Sequence, residues 1–146
     1  MYRGHELGAS MVPDATEVGW FAARQPGIVR FLEERLLRGD GDSFAVALEA
    51  ACRICAVFET RDGVPPPRVT RSLLERAEVA VLAEARHAGG SIDGCAARQP
   101  ELCRWLASYV GDPPVPLTCS ESAAVGTTLA SLIYSLDELT CGRHIP

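Results

Sequence analysis

The pentapeptide Ala-Ala-Arg-Gln-Pro is written twice in this chain, at 22–26 and at 96–100, and the similarity runs on past it. Ile28 falls over Leu102, Val29 over Cys103, Arg30 over Arg104, Phe31 over Trp105 and Leu32 over Leu106. Apolar residues meet apolar residues, and the interposed Arg meets an Arg. With a longer loop in the second copy, the segment from Ser43 then lies over the one from Ser122. Ala45/Ala124, Val46/Val125, Ala51/Ala130, Ile54/Ile133 and Glu59/Glu138 fall in register. A repeat of this length restricts the fold more than any other feature: the chain is expected to contain two copies of one unit, spanning approximately 14–59 and 88–138.

Each unit reads as a helical hairpin. Pro26 and Pro100 suit the first position of a helix, where the missing N–H costs nothing, and each moves the preceding Gln out of the α region. Apolar residues then recur at helical spacing: Ile28, Phe31, Leu32 and Leu36 in one copy, Leu102, Trp105, Leu106 and Val110 in the other. The loop RGDGDS supplies Gly breakers and an Asp or Ser cap, and the loop GDPPVPLT uses prolines. Thr118 and Glu121 form a capping-box pattern ahead of a last helix that should stop near Gly142. Between the units, GVPPP introduces a further helix, with Ser72 and Glu75 as another capping box and Val69, Leu73, Ala77, Ala80 and Val81 as its apolar stripe. DATEVGWF and SIDGC, just ahead of the two pentapeptides, can each form a helical turn. No run alternates with a period of two between hairpin turns. The expected fold is all-α: a single domain over 1–146 of about five main helices, near 26–38, 43–59, 69–87, 100–110 and 120–140. Two duplicated helical hairpins are joined by the central helix 69–87.

Composition agrees with that class. Aromatic residues are 6% of a chain that is 47% hydrophobic, so the core rests on Ala, Leu and Val, which suit close helix packing better than a sheet. The net charge of −5 makes the surface acidic and repels phosphate backbones, which argues against a nucleic-acid partner. All fourteen basic residues are Arg, which a GC-rich coding sequence explains. No stretch is apolar for long enough to span a membrane, and the first twenty residues lack a continuous apolar segment. A soluble, cytoplasmic protein is therefore expected.

The pentapeptide itself has two readings. As a structural corner, Ala-Ala allows close packing, Pro sets the helix start, and Arg and Gln bond to loop carbonyls or carboxylates. On that reading Arg24→Ala and Arg98→Ala each lower the unfolding midpoint. As a recognition site, Arg24, Gln25, Arg98 and Gln99 face a partner, beside Trp20, the aromatic least explained by the repeat. Cys95 and Cys103 align with Phe21 and Val29 and are expected to be reduced, buried core thiols. Cys52 and Cys55 form CxxC, and Cys141 and His144 form CxxH, together a set that zinc accepts. CxxC, however, reads as mid-helix, and Ser131 and Tyr134 hold the equivalent positions in the second unit. His87 closes a helix, where a positive charge is favourable.

No nucleophile elbow, HExxH, Gly-rich phosphate loop or EF-hand spacing occurs. No catalytic residue, metal site or cofactor is therefore assigned. The expected function is a non-catalytic helical interaction module, an adaptor, inhibitor or accessory subunit, whose partner is another protein. The alternatives are a small-molecule binder with an apolar pocket between the repeats, and a metalloprotein or enzyme using Cys52, Cys55, Cys141 and His144.

Overall fold

A computed structural model of the chain describes residues 13–36, 41–87 and 99–144, without the side chains of 85–87 and 141–144. The described residues form six helices and no strand: α1 (Ala15–Arg24), α2 (Pro26–Leu36), α3 (Asp42–Asp62), α4 (Arg71–His87), α5 (Pro100–Gly111) and α6 (Cys119–His144). No helix among them is long and apolar enough to cross a membrane.

The all-α class holds, with one helix more than the five expected. α1 occupies the stretch read as a mere turn, because Asp14 caps it: the Glu17 N–H donates to Asp14 Oδ1 at 2.8 Å. It stops where Pro26 forces it to. Gln25 sits at φ −126°, ψ 60°, its N–H bonded to the Phe21 carbonyl at 2.8 Å. Gln99 adopts nearly the same corner, φ −135°, ψ 70°, ahead of Pro100. Each Gln carbonyl then accepts the first bond of the next helix, from Val29 at 3.2 Å and from Cys103 at 2.9 Å.

Other helix ends differ in detail from the sequence reading. α3 opens behind Gly41 (φ 86°) with no side-chain cap, where an Asp or Ser cap was expected, and closes on Gly63 (φ 78°), whose N–H reaches the Glu59 carbonyl at 2.8 Å. Thr70, not the pair Ser72 and Glu75, caps α4, accepting from the Leu73 N–H at 3.2 Å. Ser72 already lies inside that helix, and Glu75 pairs with Arg71 at 2.7 Å. The Thr118/Glu121 box forms as expected, at 2.8 and 3.1 Å. α6 runs to His144, two residues past Gly142.

α6 is the helix around which the others gather, with α2, α3, α4 and α5 all packed against it. Val125, Leu129, Leu132, Ile133 and Leu136 are buried along it, and so are Thr128, Ser131, Ser135 and Thr140. Each of these four hydroxyls donates to the carbonyl one turn back in its own helix, at 2.7–2.9 Å. Ile28, Phe31 and Leu32 of α2, Ile54 and Phe58 of α3, Leu74 of α4, and Leu102 and Leu106 of α5 complete one contiguous apolar cluster. Several of the aligned positions are buried alike, Ile28 with Leu102, Leu32 with Leu106, Val46 with Val125, and Ile54 with Ile133, while Phe31 and Cys103 are buried and their counterparts Trp105 and Val29 only partly so.

One close approach fixes how α2 enters this cluster. A Cβ on Gly27 would stand 2.4 Å from the Val69 carbonyl oxygen, in the extended segment ahead of α4. Gly27→Ala must therefore push backbone against backbone, and it is expected to lower unfolding stability by about 1–3 kcal/mol. Gly19→Ala, on α1 with nothing within 4 Å, should instead raise it by about 0.5–1 kcal/mol. Denaturant unfolding of the two variants beside the parent checks both signs.

Candidate binding cleft between the first and third helices

α1 lies against α3 through Phe21, which is buried, while Trp20 beside it points outward and is 68% exposed. Across from them, Cys52, Cys55, Ala56 and Glu59 share one face of α3, at helical spacings of three and four. Three of these four are small. The gap they leave is a cleft of about 300 Å³. Phe21, Cys52, Cys55 and Ala56 form its apolar floor; Thr16, Glu17, Trp20, Arg24 and Glu59 form its rim.

The sequence alignment of the two expected units puts different residues at the positions of the two cysteines. Ser131 and Tyr134 stand where Cys52 and Cys55 stand in the first unit. Tyr134 is buried, and its hydroxyl donates to the Glu84 carboxylate. The cleft thus lies within the first unit, rather than between the two as the small-molecule alternative had it.

The thiols on the floor are free and buried. Burial, reinforced by the Glu17 carboxylate and opposed by Arg24, pushes Cys52 up to about 11 from its ordinary value of 9.0. Burial first, and then Cys52 beside it, drives Cys55 higher still. Cys52 Sγ lies 3.9 Å from the Glu17 carbonyl oxygen, to which it donates. Both groups are thiols at neutral pH, and the thiolate is the nucleophile. The floor therefore offers apolar contact and no activated sulfur.

Of the residues singled out in the sequence, Trp20 and Arg24 meet in this cleft. Arg24 is about half exposed and reaches Glu59 only at 3.9 Å. Gln25 is buried at the corner instead, and its amide is fully engaged there. Nε2 donates to the Pro67 carbonyl at 2.9 Å, and Oε1 accepts from the Val69 N–H at 2.9 Å. Gln99 donates to Asp137 Oδ1 at 2.6 Å, tying its corner to α6. Arg98 lies outside the described residues, as do Cys95 and the side chains of His87, Cys141 and His144. Phe31 is buried under the Arg35 guanidinium, 4.7 Å from the ring centre, and Trp105 stacks on Tyr109 at 4.9 Å.

Cys103 corrects one expectation. It is buried as foreseen, but it is disulfide-bonded rather than a reduced thiol, and its partner lies outside the described side chains. Alignment over Val29 reports that a position is apolar, and a half-cystine satisfies that as well as a thiol does. Among the described residues, no three His, Cys, Asp or Glu side chains come together in a way that could hold a metal ion. Comparison with protein-family models, with curated proteins and with solved structures finds no match to this chain.

Two measurements follow from this geometry. The corner's stability resides in Gln25, not in Arg24 as the sequence suggested. Gln25→Ala strands the buried Val69 N–H and is expected to cost about 2–3 kcal/mol. Arg24→Ala, which removes an exposed ion pair, should cost less than about 1 kcal/mol. Equal losses on unfolding would reject that division.

The second measurement is of pH dependence. An unfolded thiol ionises near 9.0 whereas folded Cys52 does so near 11, so above pH 9 the unfolded state binds fewer protons than the folded one. Stability is full below that point and falls as pH rises toward 11, by at most about 1.4 kcal/mol per pH unit per thiol. Cys52→Ala should flatten the slope; an unchanged slope would place the alkaline loss elsewhere, for instance at Tyr109, which burial also raises.

Proposed function

We propose that this chain is a non-catalytic helical interaction module that engages another protein through the cleft between α1 and α3, with Trp20 as anchor and Arg24 beside it. The observation that carries the reading is the indole itself. It stands in water on a helix whose next residue is buried, at the rim of an apolar cleft, and Trp and Arg are the residue types that dominate binding energy in protein interfaces. Glu17 and Glu59 on the rim supply polar contacts around an apolar centre, the usual layout of such interfaces.

We read the two Gln-Pro corners, with their matched backbone angles and matched buried positions, as copies of one ancestral hairpin within a single domain. The cytoplasmic placement expected from the sequence is not carried forward: the disulfide at Cys103 speaks against a strongly reducing setting, where such bonds are rare.

The test is a photo-crosslinking residue at position 16, introduced into the chain in its native cells, followed by direct binding of the purified partner. Trp20→Ala is expected to weaken that binding by at least about 30-fold, the equivalent of 2 kcal/mol, with the unfolding midpoint unchanged. Val64→Ala, at an exposed apolar site away from the cleft, should leave binding as it was. Equal affinity of the parent and the Trp20 variant would overturn the reading.

A second reading, an apolar small molecule in the same cleft, is favoured by its volume of about 300 Å³, at the lower end of the ligand-pocket range of about 300–1,000 Å³. A metabolite that raises the melting temperature with no protein partner present would favour it.

A further inference from the structure

The cleft between α1 and α3 carries its charges unevenly. Trp20 and Arg24 follow Glu17 at three and seven residues, so the three share one face of α1. About 10 Å of helix separates the acid from the base. At the Arg24 end the charges cancel, because Arg24 faces Glu59 across the gap at 3.9 Å. At the other end they do not. Among the described residues the Glu17 carboxylate makes no hydrogen bond or ion pair. Asp14, one turn earlier, caps the helix through Oδ1 and adds a second negative charge. The imbalance is felt at the floor. Burial is the main cause of the raised Cys52, and next to it the Glu17 carboxylate raises that thiol more than Arg24 lowers it.

We propose that the partner enters this cleft with a basic and apolar segment: an apolar side chain rests on the floor, and a Lys or Arg beside it is held at the Glu17 end. The inference rests on the docking reading above and supplies the chemistry of that partner. A floor of Phe21, Ala56 and two protonated thiols takes an apolar group, since a charged one would leave water without a compensating partner. An acidic segment would bring its carboxylates against Glu17 and Asp14, and such like-charge contact selects against it. A cation at Glu17 also comes within reach of the exposed indole of Trp20 one turn along, whose face attracts it. At longer range the net charge of −5 favours encounter with a basic partner.

The probe is a phage-displayed library of random peptides, panned on the full purified chain and counter-selected on Trp20→Ala. Peptides that bind the parent and not the variant should carry Lys or Arg within one helical turn of a large apolar residue, well above the frequency in the library. The best of them, made as a synthetic peptide, should lose about threefold in affinity against Glu17→Gln and about tenfold against Glu17→Arg. Glu33→Gln, at an exposed site on α2, changes the net charge by as much as Glu17→Gln and should leave affinity unchanged. High salt should erase the Glu17 effect while sparing the apolar contact. Glu17, Trp20 and Glu33 are all exposed, and the unfolding midpoint of each variant confirms that it folds. Trp20-dependent peptides with no excess of basic residues, or a loss in Glu17→Gln no larger than in Glu33→Gln, would overturn the basic partner and leave the docking reading standing. A library that yields no Trp20-dependent peptide would overturn the docking reading, and this inference with it.

Discussion

Everything in this fold leans on a helix that has no outward face over much of its length. α6 meets α2, α3, α4 and α5, and a helix surrounded in this way cannot be amphipathic. A wholly aliphatic surface would be too bulky for four neighbours at ordinary interaxial distances. The chain answers with small hydroxyl residues between the large aliphatic ones: Thr128, Ser131, Ser135 and Thr140 alternate with Leu129, Leu132, Ile133 and Leu136. A buried hydroxyl without a partner costs several kilocalories, but these four bond to carbonyls of their own helix, and Thr140 also accepts from Arg61 of α3 at 2.7 Å. Close packing is thereby reconciled with polar satisfaction along the helix.

The same device explains what could and could not be read from the letters. Elements whose boundaries are set by local chemistry were legible. Pro26 and Pro100 mark starts, Thr118 and Glu121 mark a cap, and the stripe Ile28, Phe31, Leu32 and Leu36 marks a buried face. α1 is harder to read, because the stretch ahead of the pentapeptide is short and its cap rests on Asp14 and the Glu17 N–H alone. The start of α4 is ambiguous in the sequence: Thr70, Ser72 and Glu75 offer competing caps, and Thr70 is the one that forms. Of the cleft, Trp20 stood out as unexplained. The space beside it depends on which α3 residues face α1, and that is a tertiary fact. The one signal available was the size mismatch of Cys55 against Tyr134.

The pentapeptide resolves into separate jobs for adjacent letters. Gln25 turns inward and holds the corner to the segment ahead of α4 through the Pro67 carbonyl and the Val69 N–H. Arg24, one residue earlier, is left at the rim of the cleft with a loose ion pair. The corner thus leaves a cation beside an exposed indole.

The position of α6 in the chain order has a kinetic side. Five helices precede it among the described residues, and α2 to α5 all bury their apolar faces on a partner that is synthesised after them. Ribosomes add about 5–20 residues per second, so the faces of α2 and α3 wait on the order of ten seconds for the helix that will cover them. In that interval the nascent chain holds Ile28, Phe31, Ile54 and Phe58 without their final neighbours, and contacts this distant in sequence form slowly. The core that the described helices share therefore closes only once α6 has been made.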